Sequence, residues 1–305
     1  MITLRKEAVQ YLEAQRTGTP YYKVSPQEAR AMRTVTQWQS AHKPKLASIE
    51  DHKITVRDGE QITVRLYTPV LGKTLPVIVY YHGGGWVYGN LESADAGCQL
   101  LADQAQAIVV SVDYRLAPEY PFPTPLHDAY DSLVWVHDHM EALGGDASRL
   151  SVAGDSAGGN LATVVAYLAT ALEGPSLHAQ TLIYPVTNVD FSTVSYLAYG
   201  EDYGLDTQAM QWFSHHYTEE ANFTNPLVSP LQLEEVRNMP KTFIIAAEAD
   251  VLFDEGLSYA QKLKAAGVVV EHITMPGLIH SYFSKMNYFE EATIETVTKI
   301  AQFLK

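Results

Sequence analysis

Residues 150–171 read LSVAGDSAGGNLATVVAYLATA, and this stretch decides the fold. Leu150–Ala153 is a short apolar run that predicts a buried strand. Ala157–Leu172 is apolar or small for the length of a helix. Between them stands Gly154-Asp155-Ser156-Ala157-Gly158, the only G-x-S-x-G in the chain. Strand, sharp turn and helix form the setting in which a serine is presented as a nucleophile. Flanking glycines suit such a turn, because a Cβ on either side would clash. The competing reading is a glycine-rich turn with an incidental serine.

Outward from this turn the pattern repeats. Short apolar runs at Val77–Tyr81, Ile108–Val112, Thr181–Tyr184, Phe243–Ala247 and Val268–Ile273 predict strands covered on both faces. Helical stretches are expected at about 92–105, 125–142, 255–266 and 290–304. Ahead of them, Ile49–Arg57 and Gln61–Tyr67 read as two strands joined through Asp58-Gly59, a hairpin signal. Alternating strand and helix implies an α/β fold with a mostly parallel sheet, eight strands in all, flanked by helices.

A serine is a weak nucleophile without a base, and the base needs an orienting acid. With the nucleophile on such a turn, the acid and then the histidine follow it in the chain. The histidines past position 200 are His215, His216, His272 and His280. His272 falls inside the last predicted strand, and His215 and His216 lie in an aromatic segment. His280 closes Pro276-Gly277-Leu278-Ile279-His280, read as a loop before the last helix, where α/β sites assemble. The acid is sought after the strand Phe243–Ala247, and Asp250 is favoured. Asp254, the second choice, and Glu255 stand where helix capping and the helix dipole already account for acids. For the developing oxyanion, His82-Gly83-Gly84-Gly85-Trp86 follows a strand and can aim bare N–H groups into a cavity. The N–H of Ala157 is the additional donor. A phosphate-binding loop is the alternative for three glycines, but no G-x-x-x-x-G-K-[ST] or G-x-G-x-x-G completes it. No H-E-x-x-H occurs, and His137-Asp138-His139 points its rings apart on a helix, so no metal site and no cofactor are expected.

Two segments depart from the alternation. Residues 1–45 read as helical, with Ser25-Pro26-Gln27-Glu28 a capping box that starts a helix running to about Ser40. About 185–240 lacks a clear strand and is rich in aromatics, which suits a binding element or lid and argues against disorder. The expected organisation is therefore 1–45 as a helical part of a cap and 46–305 as the catalytic domain, interrupted by a cap insert. Candidate pocket residues are Trp86, Tyr199, Leu205, Met210 and Trp212, with Trp38, Tyr203 and Phe213 as further bulky groups of the roof.

The chain has 305 residues, 21 Lys+Arg against 35 Asp+Glu, and a formal charge of −14, a balance that disfavours nucleic acid and anionic lipid as partners. Cys98 is the one cysteine, so neither an intrachain disulfide nor a cysteine zinc site is open to it. No apolar run reaches the ~18–20 residues of a membrane span, and Met1–Arg16 lacks the unbroken apolar core of a signal peptide. A cytoplasmic location is the expectation.

The glycine loop, the run Asp113-Tyr114-Arg115-Leu116-Ala117-Pro118-Glu119 with Pro121-Phe122-Pro123, the serine turn Gly154–Gly159, and Asp250 with His280 together resemble the hormone-sensitive-lipase family of bacterial carboxylesterases. The resemblance runs from about residue 50 to the C-terminus. It implies the α/β-hydrolase fold with a cap built from N-terminal helices and an insert after the sixth strand. It matches Ser156 to the nucleophile, Asp250 to the acid, His280 to the base, and Gly84, Gly85 and Ala157 to the oxyanion hole. It matches His82, Arg115 and Glu119 to framework positions. Many relatives carry proline after the acid, where Val251 stands, and a small residue after the base, where Ser281 stands. The expected activity is a serine carboxylesterase acting on short- to medium-chain esters of small molecules, as a monomer or homodimer. An amidase, thioesterase or lactonase with the same triad, or a non-catalytic receptor of the same fold, are the rivals; receptors of that kind lack the histidine that His280 supplies here.

Overall fold

The structure is a computed structural model that describes residues 2–32 and 38–305. Eight strands, β1 (Ser48–Thr55), β2 (Gln61–Thr68), β3 (Leu75–Tyr81), β4 (Ile108–Asp113), β5 (Gly145–Asp155), β6 (Ala179–Ile183), β7 (Lys241–Ala249) and β8 (Val270–Ile279), form one sheet in the order β1-β2-β4-β3-β5-β6-β7-β8. β1 pairs antiparallel with β2, and β2 with β4; every later pairing is parallel.

Period two explains the continuous apolar runs. In β3, Val77, Val79 and Tyr81 enter one core, while Ile78 and Tyr80 enter the core on the opposite face. Each face is covered by helices, so neither set of side chains meets water. α3 (Leu91–Ala105) and α9 (Met286–Phe303) cover one face through Leu100, Leu101, Ala292 and Val297. α4 (Thr124–Asp138), α5 (Ala157–Ala171) and α8 (Phe253–Ala265) cover the other through Leu133, Val136, Leu161, Val165 and Leu263. Burying each of these leucine and valine side chains contributes roughly 1.5–3 kcal/mol.

The remaining helices sit above the carboxyl ends of the strands. α1 (Lys6–Gln15) packs Tyr11 edge-on to Tyr288, ring centroids 5.3 Å apart. α2 (Pro26–Ala31) opens with the expected capping box: the Ser25 side chain accepts the Glu28 N–H, and the Glu28 carboxylate accepts the Ser25 N–H. It ends at Ala31, and part of the predicted extension to about Ser40 lies outside the described residues. α6 (Val194–Tyr199) and α7 (Thr207–Tyr217) belong to the aromatic segment after β6. Some boundaries differ from expectation: β5 begins at Gly145, five residues before the predicted run, and the end of β8 bears on the site. β8 continues through Pro276 and Gly277 to Ile279, so the stretch read as a loop is strand, and His280 stands directly at its end.

Candidate active site

Ser156 joins β5 to α5 with φ 57° and ψ −121°, a left-handed backbone that a non-glycine residue holds at a cost of roughly 1–3 kcal/mol. The surroundings impose it. The Ser156 N–H donates to the Ile183 carbonyl at 2.9 Å, and its own carbonyl accepts from Asn160 at 3.0 Å. A Cβ on Gly158 would run into the Tyr81 carbonyl, and one on Gly154 into the Gly158 carbonyl, so the turn closes only with glycine at both places.

His280 Nε2 lies 2.9 Å from Ser156 Oγ, and its Nδ1 lies 2.6 Å from Asp250 Oδ2. All three side chains are buried. An Nδ1–H donated to the carboxylate leaves Nε2 as the acceptor for the serine hydroxyl, the tautomer that a general base requires. Asp250 Oδ1 also accepts the Leu252 N–H at 3.0 Å, which fixes the carboxylate within its own loop. In that loop the Val251 carbonyl accepts the Ser195 hydroxyl at 2.6 Å. Ser281, after the histidine, adopts φ 64°.

The glycine loop lies beside the serine. The Gly83 N–H is spent on Asp155 Oδ1 at 2.9 Å. His82 Nδ1 lies 2.8 Å from the Gly83 carbonyl, and burial, the largest influence, pushes the His82 pKa down and favours the neutral ring. An Nδ1–H donated to that carbonyl orients the Gly83–Gly84 peptide plane and hence the Gly84 N–H. The His82 ring stacks on Tyr114 with centroids 4.3 Å apart. Gly85 has φ 60°, and a Cβ there would enter the Phe213 ring. Arg115 pairs with Asp128 at 2.7 Å and with Asp58 at 2.7 Å.

A cavity of about 700 Å³ opens onto Ser156 and His280. Of the candidate pocket residues, Leu205 and Met210 line it, as do Trp38 and Phe213. Three others lie elsewhere. Trp86 is fully buried and stacks flat on Tyr217, centroids 4.2 Å apart. Trp212 packs over His216 at 4.3 Å, and Tyr199 lines a separate cleft of about 300 Å³ with Glu248 and Phe253. Tyr203 packs edge-on to Tyr199. His215 pairs with Glu220 at 2.8 Å on the surface of α7.

Two acids behave unlike their sequence reading. Asp254 Oδ2 accepts the Ser195 N–H at 2.7 Å, and Glu255 Oε1 accepts the N–H groups of Thr187 and Asn188 at 2.7 and 3.1 Å. They sit in the first turn of α8, but their bonds reach the segment after β6 instead of capping the helix. Glu255 is buried, which raises its pKa well above the usual carboxyl range; Asp250 and Asp190 add to the rise. A D-x-x-x-D-E run after a strand is a signal for helix acids, and nothing local distinguishes one that turns inward. Among the described residues no group of three or more His, Cys, Asp or Glu side chains is placed to hold a metal ion.

With this geometry in view, residues 78–284 match the model of a family described as having the alpha/beta hydrolase fold. The chain is 41% identical over 249 residues to an ethyl acetate hydrolase of Pseudomonas putida, covering 80% of this chain and 78% of that one. It is 42% identical over 239 residues to the carboxylesterase NlhH of Mycobacterium tuberculosis, covering 77% and 75%. Its structure superposes on a hyperthermophilic esterase from the archaeon Pyrobaculum calidifontis with a TM-score of 0.91 and 36% identity, over 100% of this chain and 98% of the other.

Proposed function

The chain belongs to the hormone-sensitive-lipase-like carboxylesterases of the α/β-hydrolase superfamily, and from that premise we propose that it hydrolyses short- to medium-chain carboxylic esters through an acyl-enzyme on Ser156. The carrying observation is the continuous hydrogen-bond line from Asp250 through His280 to Ser156, at 2.6 and 2.9 Å.

In the proposed reaction Ser156 Oγ attacks the ester carbonyl carbon while its proton passes to His280 Nε2. The carbonyl π electrons move onto oxygen, and the N–H groups of Gly84, Gly85 and Ala157 stabilise that charge. The tetrahedral species collapses, the bond to the alcohol oxygen breaks, and His280 returns the proton to the leaving alcohol. A water then gives its proton to His280 and attacks the acyl carbon. Collapse of the second tetrahedral species releases the carboxylic acid and restores the serine hydroxyl. Asp250 stabilises the imidazolium in both halves.

Residues 1–45 and about 185–240 together form the cap in this reading. Its support is the packing of Tyr21, near α2, against Phe213 of α7, ring centroids 6.2 Å apart, beside the cavity both residues line. No described helix is long and apolar enough to cross a membrane. A cytoplasmic place of action and a monomeric or homodimeric state complete the reading; the single, buried thiol of Cys98 supports the former. A hydrolysis screen of 4-nitrophenyl esters from C2 to C16, run beside the matching anilides, tests the reaction class. Faster turnover of anilides than of esters would sink the reading.

A further inference from the structure

Arg30 stands on α2, more than a hundred residues before the serine, and nothing in its local sequence marks it. Its Nε donates to the Val87 carbonyl at 2.7 Å, and its Nη2 to the Ala117 carbonyl at 2.7 Å. Its Nη1 and Nη2 grip the two carboxylate oxygens of Glu119 at 2.9 and 2.7 Å. A guanidinium has five N–H donors in a fixed fork. At least four are spent on the framework, so although Arg30 borders the cavity, its fork is directed at the loop and not at substrate.

One of the carbonyls it holds, Val87 O, belongs to the turn that carries the glycine loop; the other, Ala117 O, belongs to the segment after β4 that packs against that turn. Val87 O shares a peptide plane with the Tyr88 N–H, which donates to the Gly84 carbonyl at 3.0 Å. The Val87 N–H donates to the same carbonyl at 3.1 Å. Gly84 C=O in turn shares a plane with the Gly85 N–H, which points the opposite way. Holding Val87 O therefore fixes, through two planes and one hydrogen bond, the direction of the Gly85 N–H. The second contact acts on the same turn: the Ala117 N–H donates to the Trp86 carbonyl at 2.9 Å. Gly85 takes φ 60° freely as a glycine, but Trp86, also at φ 60°, is held in a backbone region that a non-glycine residue rarely adopts.

We propose that Arg30 is a positioning residue for ester hydrolysis, which aims the Gly85 N–H at the developing oxyanion by holding the Val87 and Ala117 carbonyls. α2 then contributes to the chemical step as well as to the wall of the pocket. A six-residue helix is too short to be stable alone, and the same arginine anchors it to the turn it controls. The inference rests on the acyl-transfer reading above.

The test uses full-length Arg30→Gln and Arg30→Lys, each checked for a cooperative thermal melt. Kinetics on 4-nitrophenyl butyrate are paired with inhibition by an alkyl trifluoromethyl ketone, whose serine adduct places an anionic oxygen in the hole, and by the matching carboxamide, which forms no adduct. We expect kcat and trifluoromethyl ketone affinity to fall together, by ~10- to 100-fold, because a small misplacement of one donor weakens only transition-state contacts. KM and carboxamide affinity should stay within about threefold, and lysine, a point donor, should restore only part of the loss. A raised KM with kcat unchanged, or full ketone affinity in a slow variant, overturns the proposal and reduces Arg30 to a wall residue. If neither variant folds, Glu119→Gln, which loosens the grip on the guanidinium, should give a smaller parallel loss in the same two quantities; a loss in KM alone overturns the proposal. Failure of the wild type to hydrolyse esters would instead remove the parent reading.

Discussion

Asp155 and Gly83 are joined by a hydrogen bond of 2.9 Å, from the Gly83 N–H to Asp155 Oδ1. The residue before the serine thus holds the first glycine of the loop that faces it, and the turn and the loop cannot move independently. The same oxygen accepts the Tyr80 hydroxyl at 2.7 Å. Burial raises the Asp155 pKa, and the Tyr80 and Gly83 donors oppose the rise. Asp155→Ala leaves the buried Tyr80 hydroxyl unpaired, at a cost of ~1–3 kcal/mol, and frees the half-buried Gly83 N–H, which releases the loop. We expect a lower melting temperature together with a kcat reduced about 100-fold. Asp155→Asn keeps an acceptor and should lose less of both. A folded alanine variant with wild-type kcat would show that the tie is dispensable.

Ser156→Ala should reduce kcat by ~10⁴–10⁶, because the triad acts as a unit. A fluorophosphonate should label the wild type at Ser156 and leave the variant unmodified. Labelling elsewhere, with activity retained, would remove Ser156 from the mechanism.

Glu255 predicts a pH dependence of stability. Its folded pKa is raised, chiefly by burial. The stability linked to its proton is fully present below the unfolded pKa near ~4.3 and is lost as pH rises through the folded value. Glu255→Gln keeps an oxygen for the Thr187 and Asn188 N–H groups and removes the titration. Relative to wild type, the variant's melting temperature should therefore gain by at least ~2 °C between pH 5.5 and pH 8.5. A constant difference across that range would mean that Glu255 does not titrate there.

Acyl-chain length should be set by the wall that Leu205, Met210 and Phe213 provide. Each methylene that fits adds about 0.8 kcal/mol, and each that does not must displace a packed side chain at roughly 1–3 kcal/mol. kcat/KM should peak between C2 and C8 and collapse by C16. Leu205→Ala, which opens the wall without touching the glycine loop, should move the peak to longer chains. A flat wild-type profile, or rapid hydrolysis of emulsified long-chain triglyceride, would show an open groove.

The amino-acid sequence by itself determined the layered sheet and the place of each of its strands, and it singled out Ser156, Asp250 and His280, which the fold brings within hydrogen-bond distance of one another. These rest on short-range signals: period-two apolar runs such as Val77–Tyr81, glycines around one serine, and the position of each polar residue just past a strand. Such features are written in neighbouring residues, so neighbours suffice to read them. Side-chain direction is different. Trp86 and Trp212 look like pocket walls in a list of bulky residues, yet each is taken up by a ring from its own surroundings, Tyr217 and His216. Glu255 reads as an acid that suits a helix dipole, and only the packing of the segment after β6 over α8 turns it into a buried acceptor for two amides. Arg30 and Glu119 meet across 89 residues of chain, and Gly83 and Asp155 across 72. Contacts of that span depend on where whole elements pack, which no local pattern encodes, and so the tertiary structure alone decided what holds the glycine loop in place.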